Sequence, residues 1–218
     1  MGRDRQLAPE LSAAPRPLRA DAVRNRELLL GVAREAFAAD GVDVSLEEIA
    51  RRAGVGIGTL YRRFPTREDL IESVLSGEYA RLEELARMLA DQFPPREALG
   101  EWLGEMMRYM TMYRGLSACM KDTIHDRSTR LGQTCMRMMA AAENLLIRAQ
   151  AARTVRDDVT FQELAVMTSG ISWAAERAAE KSHGAPTIDA AVLMDIMLKG
   201  LEPRARVDDR PSDRGPTA

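Results

Sequence analysis

The chain has 218 residues, 45% of them apolar and 29% charged, an ordinary soluble balance that allows one good core or two small ones. No apolar run approaches the roughly 20 residues of a membrane span, and the start, MGRDRQLAPELSAAPRP, lacks the apolar centre of a secretory signal. A cytoplasmic protein without membrane contact is therefore expected. The net charge of −2 speaks against a chain that is basic throughout, yet Arg16 to Arg67 holds ten arginines against seven acids, a local charge of +3.

In chain order, residues 1–18 carry three prolines and no periodicity and read as a mobile arm. A helix is expected from about Ala20 to Ala39, because Leu29, Val32, Ala33, Ala36 and Phe37 form one apolar stripe. Asp40-Gly41 stops it. Ser45-Leu-Glu-Glu48 is a capping box, with serine reaching the third amide and glutamate reaching back to the cap amide. Leu46, Ile49, Ala50 and Ala53 then line a helix of about two turns, which Gly54 ends in a left-handed cap. A second short helix carries Leu60 and Phe64 inward and stops at Pro65. Thr66-Arg-Glu-Asp69 caps a much longer helix whose stripe is Leu70, Val74, Leu82, Leu85 and Leu89, interrupted by Glu78.

Further helices are expected from Pro94-Pro95 to about Tyr113, over Arg114–Asp126 and over Arg127–Ala152. Thr160-Phe-Gln-Glu163 opens another, to about Ser182, and Thr187 caps a last one ending at Leu201. From Glu202 the chain is rich in Pro, Arg and Asp and reads as a disordered tail. No run alternates as a strand would, so the fold class is all-α with about nine helices.

Two short helices joined by a glycine turn fit a helix-turn-helix. The turn needs a residue free to take positive φ, and Gly54 supplies it. The second helix needs buried anchors, here Val55, Leu60 and Phe64, and donors on its other face. The run SLEEIARRAGVGIGTLYRRFPTREDL also resembles the DNA-binding segment of the TetR (tetracycline repressor) family of bacterial transcriptional regulators. It carries the Leu60-Tyr61 pair, an aromatic three residues on at Phe64, a capped long helix after it, and Phe37-x-x-x-Gly41 before it. The resemblance covers about Arg24–Leu75.

It implies an N-terminal three-helix helix-turn-helix domain over 19–65 and a larger helical ligand-binding and dimerisation domain over 66–202, with 203–218 as the tail. It also implies roles. Ser45 would hold a phosphate at a helix start; Ile57, Gly58 and Thr59 would meet base edges; Tyr61, Arg62 and Arg63 would contact phosphates or bases; Arg67 would clamp the DNA backbone. Ile57 is either a core anchor or a reader of a thymine methyl, the apolar mark in the major groove. The partner implied is double-stranded operator DNA, palindromic because the last two helices (160–182 and 187–201) pair with their copies in a homodimer. Independently of the family, Met194, Ile196, Met197 and Leu201 put apolar side chains on more than one face of the final helix, which asks for a partner beyond its own core.

Thirteen methionines are many for this length. Trp102, Met106, Tyr109 and Met110 share one helix face and are the candidate lining for a small apolar or aromatic effector; plain core filling is the competing reading. No catalytic constellation, cofactor or metal set is expected: His125 and His183 are the only histidines, and Asp122 beside His125 finds no second ligand pair. Cys119 and Cys135 read as free thiols, since no C-x-x-C occurs. The reading is a dimeric, ligand-responsive DNA-binding regulator, and the resemblance implies a repressor; the alternative is a helical ligand-binding or enzymatic bundle whose first domain mediates protein contacts.

Overall fold

The computed structural model describes residues 16–113, 115, 119–181 and 189–203. Among these residues there are nine α-helices and no strand. They are α1 (Arg16–Asp40), α2 (Leu46–Arg52), α3 (Ile57–Arg63), α4 (Arg67–Gln92), α5 (Pro95–Met112), α6 (Lys121–His125), α7 (Arg130–Ala151), α8 (Phe161–Lys181) and α9 (Ala190–Lys199). Helix α1 begins at Arg16, earlier than its apolar stripe requires; Pro17 is tolerated there because first-turn amides have no helical partner. Expectations for residues 1–15 and 204–218 lie outside the described residues.

Helices α1, α2 and α3 close on Leu29, Phe37, Ile49, Leu60 and Phe64, each at most 2% exposed. Helix α4 then runs out of this head into the body. Its first half packs on α1 and its length is covered by α5 and α7. Its capping box forms: the Thr66 Oγ1 accepts from the Asp69 amide, and the Asp69 carboxylate accepts from the Thr66 amide at 2.9 Å. Thr160 and Glu163 make the same reciprocal pair before α8. The box expected at Ser45 is only half made. Ser45 Oγ accepts from the Glu48 amide at 3.1 Å, but the Glu48 carboxylate turns to Arg51 and Arg52 instead of reaching back.

Two other expectations are corrected. The segment 114–126 is not one helix: Gly115 takes φ +78°, and the described helix there is only Lys121–His125. The final helix is capped by Asp189, whose carboxylate accepts from the Ala191 amide at 2.8 Å; Thr187 lies outside the described residues. No described helix is long and apolar enough to cross a membrane.

Glu78, the charge inside the α4 stripe, is 2% exposed and joins the two halves. It accepts from Arg34 of α1 and from Arg81, and Arg81 also reaches Glu105 of α5.

Candidate DNA-binding surface

The turn between α2 and α3 follows from one residue. Gly54 takes φ +66°, its amide donates to the Arg51 carbonyl, and the Val55 amide donates back to the Ala50 carbonyl. That pair of bonds is the Schellman ending, which needs a left-handed residue at this position. Gly56 is the N-cap of α3, and its carbonyl accepts from the amides of Thr59 and Leu60. Leu60 and Phe64 are buried and pin α3 to the head, and the Arg26 guanidinium lies over the Phe64 ring at 5.8 Å.

Anchoring one side of α3 turns the other outward. Tyr61, Arg62 and Arg63 are exposed, and Thr59 is half-buried. No ion pair engages Arg62 or Arg63 among the described residues, so both guanidinia stand ready for an external anion. Arg51 and Arg52 differ. They share the Glu48 carboxylate, and Arg52 also bonds Asp40 at 2.7 Å. These hydrogen bonds, Arg51's first and Arg52's second, lower the Glu48 carboxyl from its ordinary 4.5 to about 2.

Gly56 and Gly58 are exposed, and a Cβ at either meets nothing within 4 Å. Neither has positive φ. The fold itself therefore makes no demand for glycine at these two positions, in contrast to Gly54. Ile57, between them, is half-buried and packs against the head core. Ser45 is exposed at the start of α2. Arg67 is half-buried at the start of α4, and its two terminal nitrogens donate to the carbonyls of Val42 and Val44, so it holds the α1–α2 loop.

The four residues expected to line an effector site lie together on α5 but within packed structure. The Trp102 indole is 1% exposed, donates to the Leu82 carbonyl at 2.9 Å and leans on Phe161. Tyr109 is buried between Tyr79 and Tyr113, with ring centroids 5.7 and 5.2 Å away. Burial first, then the neighbouring Tyr79, pushes its phenol pKa well above the ordinary value. Met106 and Met110 are half-buried, and the Met110 sulfur faces the hydroxyls of Ser169 and Ser172 on α8. An open cleft of about 900 Å³ lies instead between α5 and α9, on Leu99, Gly100, Met107, Met194 and Leu198, and none of the four lines it. Periodicity alone does not reveal this, because α5 buries residues on two faces.

The family described as "Bacterial regulatory proteins, tetR family" matches residues 29–74, and "Transcriptional regulator SbtR-like, C-terminal domain" matches residues 94–203. A TetR transcriptional regulator from Streptomyces coelicolor is 34% identical, with 83% of this chain and 99% of that one aligned at a TM-score of 0.64. The chain belongs to the TetR family. It is a transcriptional regulator with a DNA-binding helix-turn-helix. An HTH-type transcriptional regulator of Staphylococcus aureus is 41% identical over 62 residues, 28% of this chain and 34% of the relative, so the match spans about a third of that relative's length. The regulator FadR from Bacillus subtilis, solved in complex with stearoyl-CoA, is 15% identical with a TM-score of 0.58 over 81% of this chain and 97% of that one, and shares the fold. In this TetR-family chain the helix-turn-helix is α2–α3, inside the matched 29–74 segment.

Proposed function

We propose that this TetR-family chain is a ligand-responsive repressor that binds a palindromic operator as a twofold dimer. The observation that carries the DNA surface is the exposed face of α3: Tyr61, Arg62 and Arg63, unengaged among the described residues, beside two glycines that the fold does not need. A thin leading end lets backbone amides approach a groove, while guanidinia and the phenol reach phosphates and base edges. Thr59, Gly58 and Ser45 border the same face. Ile57 sets the pitch of α3 through its buried part, and its exposed edge meets a thymine methyl. Arg67 acts through the loop it holds.

The dimer reading rests on α8 and α9. Val166, Trp173 and Ile196 are each at least 60% exposed, with Met167 and Val192 beside them. A stripe this apolar and this exposed belongs to an interface. The inner face of α8, with Phe161, Leu164, Thr168 and Ser172 buried, is already covered. Twofold pairing through the outer faces sets two α3 helices about 34 Å apart or somewhat wider, one DNA turn.

The effector would enter the layer between α5 and α8, on Met106, Tyr109 and Met110 with Trp102 as a fixed wall. Methionines yield to an incoming apolar or aromatic group, and the buried Thr168 hydroxyl there has no hydrogen-bond partner to lose. The stearoyl-CoA complex of FadR is an example of the same fold holding an apolar chain.

Gel-shift titration of duplexes from the chain's own upstream region tests the reading. Binding is expected to fall steeply with salt, to lose discrimination at one base position in Ile57→Ala, and to weaken in Trp173→Glu as the dimer dissociates in sedimentation. The reading fails if no upstream duplex shows salt-dependent binding.

A further inference from the structure

A second, more polar cleft lies where the head meets the body, between α1, α4 and α7, with a volume of about 340 Å³. Arg26 reaches it from α1, and Arg130 and Arg137 from α7. No aspartate or glutamate among the described residues lines it. Arg137 divides itself between Glu83 and the Thr134 hydroxyl, whereas neither Arg26 nor Arg130 has an ion-pair partner among the described residues. Glu83 offsets the charge of Arg137, but the guanidinia of Arg26 and Arg130 stand on the same small space without such an offset and favour an anion there.

Two observations on α4 point to an occupant. Ser76 lines the cleft and is 6% exposed, yet its Oγ has no hydrogen-bond partner. A buried hydroxyl left unpaired is costly, and an oxygen of a bound anion would accept from it. One residue on, Gly77 sits inside a 26-residue helix, where glycine is a poorer helix former than alanine. A Cβ there meets nothing within 4 Å and its φ is ordinary, so no internal packing requires glycine. The floor of the cleft is open where a side chain would fill it. Ser73 adds a second hydroxyl, and Arg130 and Gln133 stand in the first turn of α7, whose amide end favours negative charge.

We infer that this cleft is a binding site for an oxyanion of the phosphoryl class, held by Arg26, Arg130, Arg137 and Ser76. Guanidinia pair with phosphoryl oxygens in forked, charge-assisted bonds, which suits several arginines converging on one group. The bound anion bridges α1 of the head to α7 of the body. It is separate from the α5–α8 layer and from the face of α3. Its source is either free phosphate and phosphorylated small molecules, to which the site is assigned, or the DNA backbone.

The test titrates the full chain with inorganic phosphate, balanced by chloride at constant ionic strength, using calorimetry and thermal unfolding. Saturable binding with a rising Tm is expected. Arg130→Gln should weaken it at least about tenfold, and so should Gly77→Leu, which fills the cleft, keeps every charge and favours helix. Phosphate also stabilises proteins generally by exclusion from their surface. Equal stabilisation of wild type and both variants, or no saturable binding, overturns the site. In phosphate-free buffer, a random-sequence duplex should bind wild type and Arg130→Gln alike. Loss of duplex binding in Arg130→Gln makes the DNA backbone the occupant and overturns the assignment to a free oxyanion.

Discussion

Arginines of the same head do different work according to what already holds them. Arg62 is exposed and has no ion-pair partner among the described residues, whereas Arg67 spends both terminal nitrogens on the carbonyls of Val42 and Val44. The two should separate in one measurement. If Arg62 neutralises a phosphate, Arg62→Ala weakens DNA binding and reduces the slope of log affinity against log salt by about 0.9. Arg67→Ala releases no counterion of its own. It should leave the slope unchanged and instead lower stability by about 1.5–3 kcal/mol per lost charged bond at most, read from urea unfolding. A slope change in Arg67→Ala would show that its side chain leaves the loop to contact DNA, against the geometry described. Ile57 shows the same division within one side chain, partly in the core and partly outside it.

At the scale of elements, what was legible in the sequence was what is decided locally. The caps at Thr66 and Thr160 depend on residues three apart, and Gly54 on its own φ, so α2, α3, α4 and α8 were readable from the letters. The end of α5 near Tyr113 was readable too, but the reading of Arg114–Asp126 as one helix was not right: Gly115 takes a left-handed φ against Val42, a distant part of the chain, and the described helix there is only Lys121–His125. The effector face of α5 was legible as a stripe but not as open or closed. Both flanks of that helix are apolar, and which one is covered depends on where α4, α8 and α9 come to rest. The Glu78 network likewise showed in the sequence only as a charge interrupting an apolar stripe. Helix α8 offers a test of its inner face. The Thr168 hydroxyl is buried without a partner, so the nearly isosteric Thr168→Val should be neutral or stabilise by about 1 kcal/mol in urea unfolding. A clear destabilisation would mean that a bound water satisfies this hydroxyl and that the layer is wetter than its packing implies.

For the whole molecule, the question is how an event beside α5 reaches α3. Of the contacts that cross from body to head among the described residues, two bear on that question. One is Arg34 to Glu78, an ion pair whose carboxylate is buried. The other is steric. The Tyr109–Tyr113 stack ends α5, and two residues later Gly115, at φ +78°, lies so close to the α1–α2 loop that a Cβ would stand 3.3 Å from Val42 Cγ1. The Val42 carbonyl is also one of the two that Arg67 holds. Displacement of the stack by a ligand would therefore press on the loop that orients the helix-turn-helix, through an element with little room to absorb it. Gly115→Ala should mimic that push. The left-handed backbone costs an L-residue about 1–2 kcal/mol, which fixes the expected loss in urea unfolding, and the added methyl crowds Val42. DNA affinity should change although α3 is untouched. Val42→Ala opens space at the same point, so the double variant should recover part of both losses, a coupling that a thermodynamic cycle measures directly. If the two substitutions add without interaction in stability and in DNA affinity, the loop is not the route, and the Arg34–Glu78 pair becomes the contact to test next.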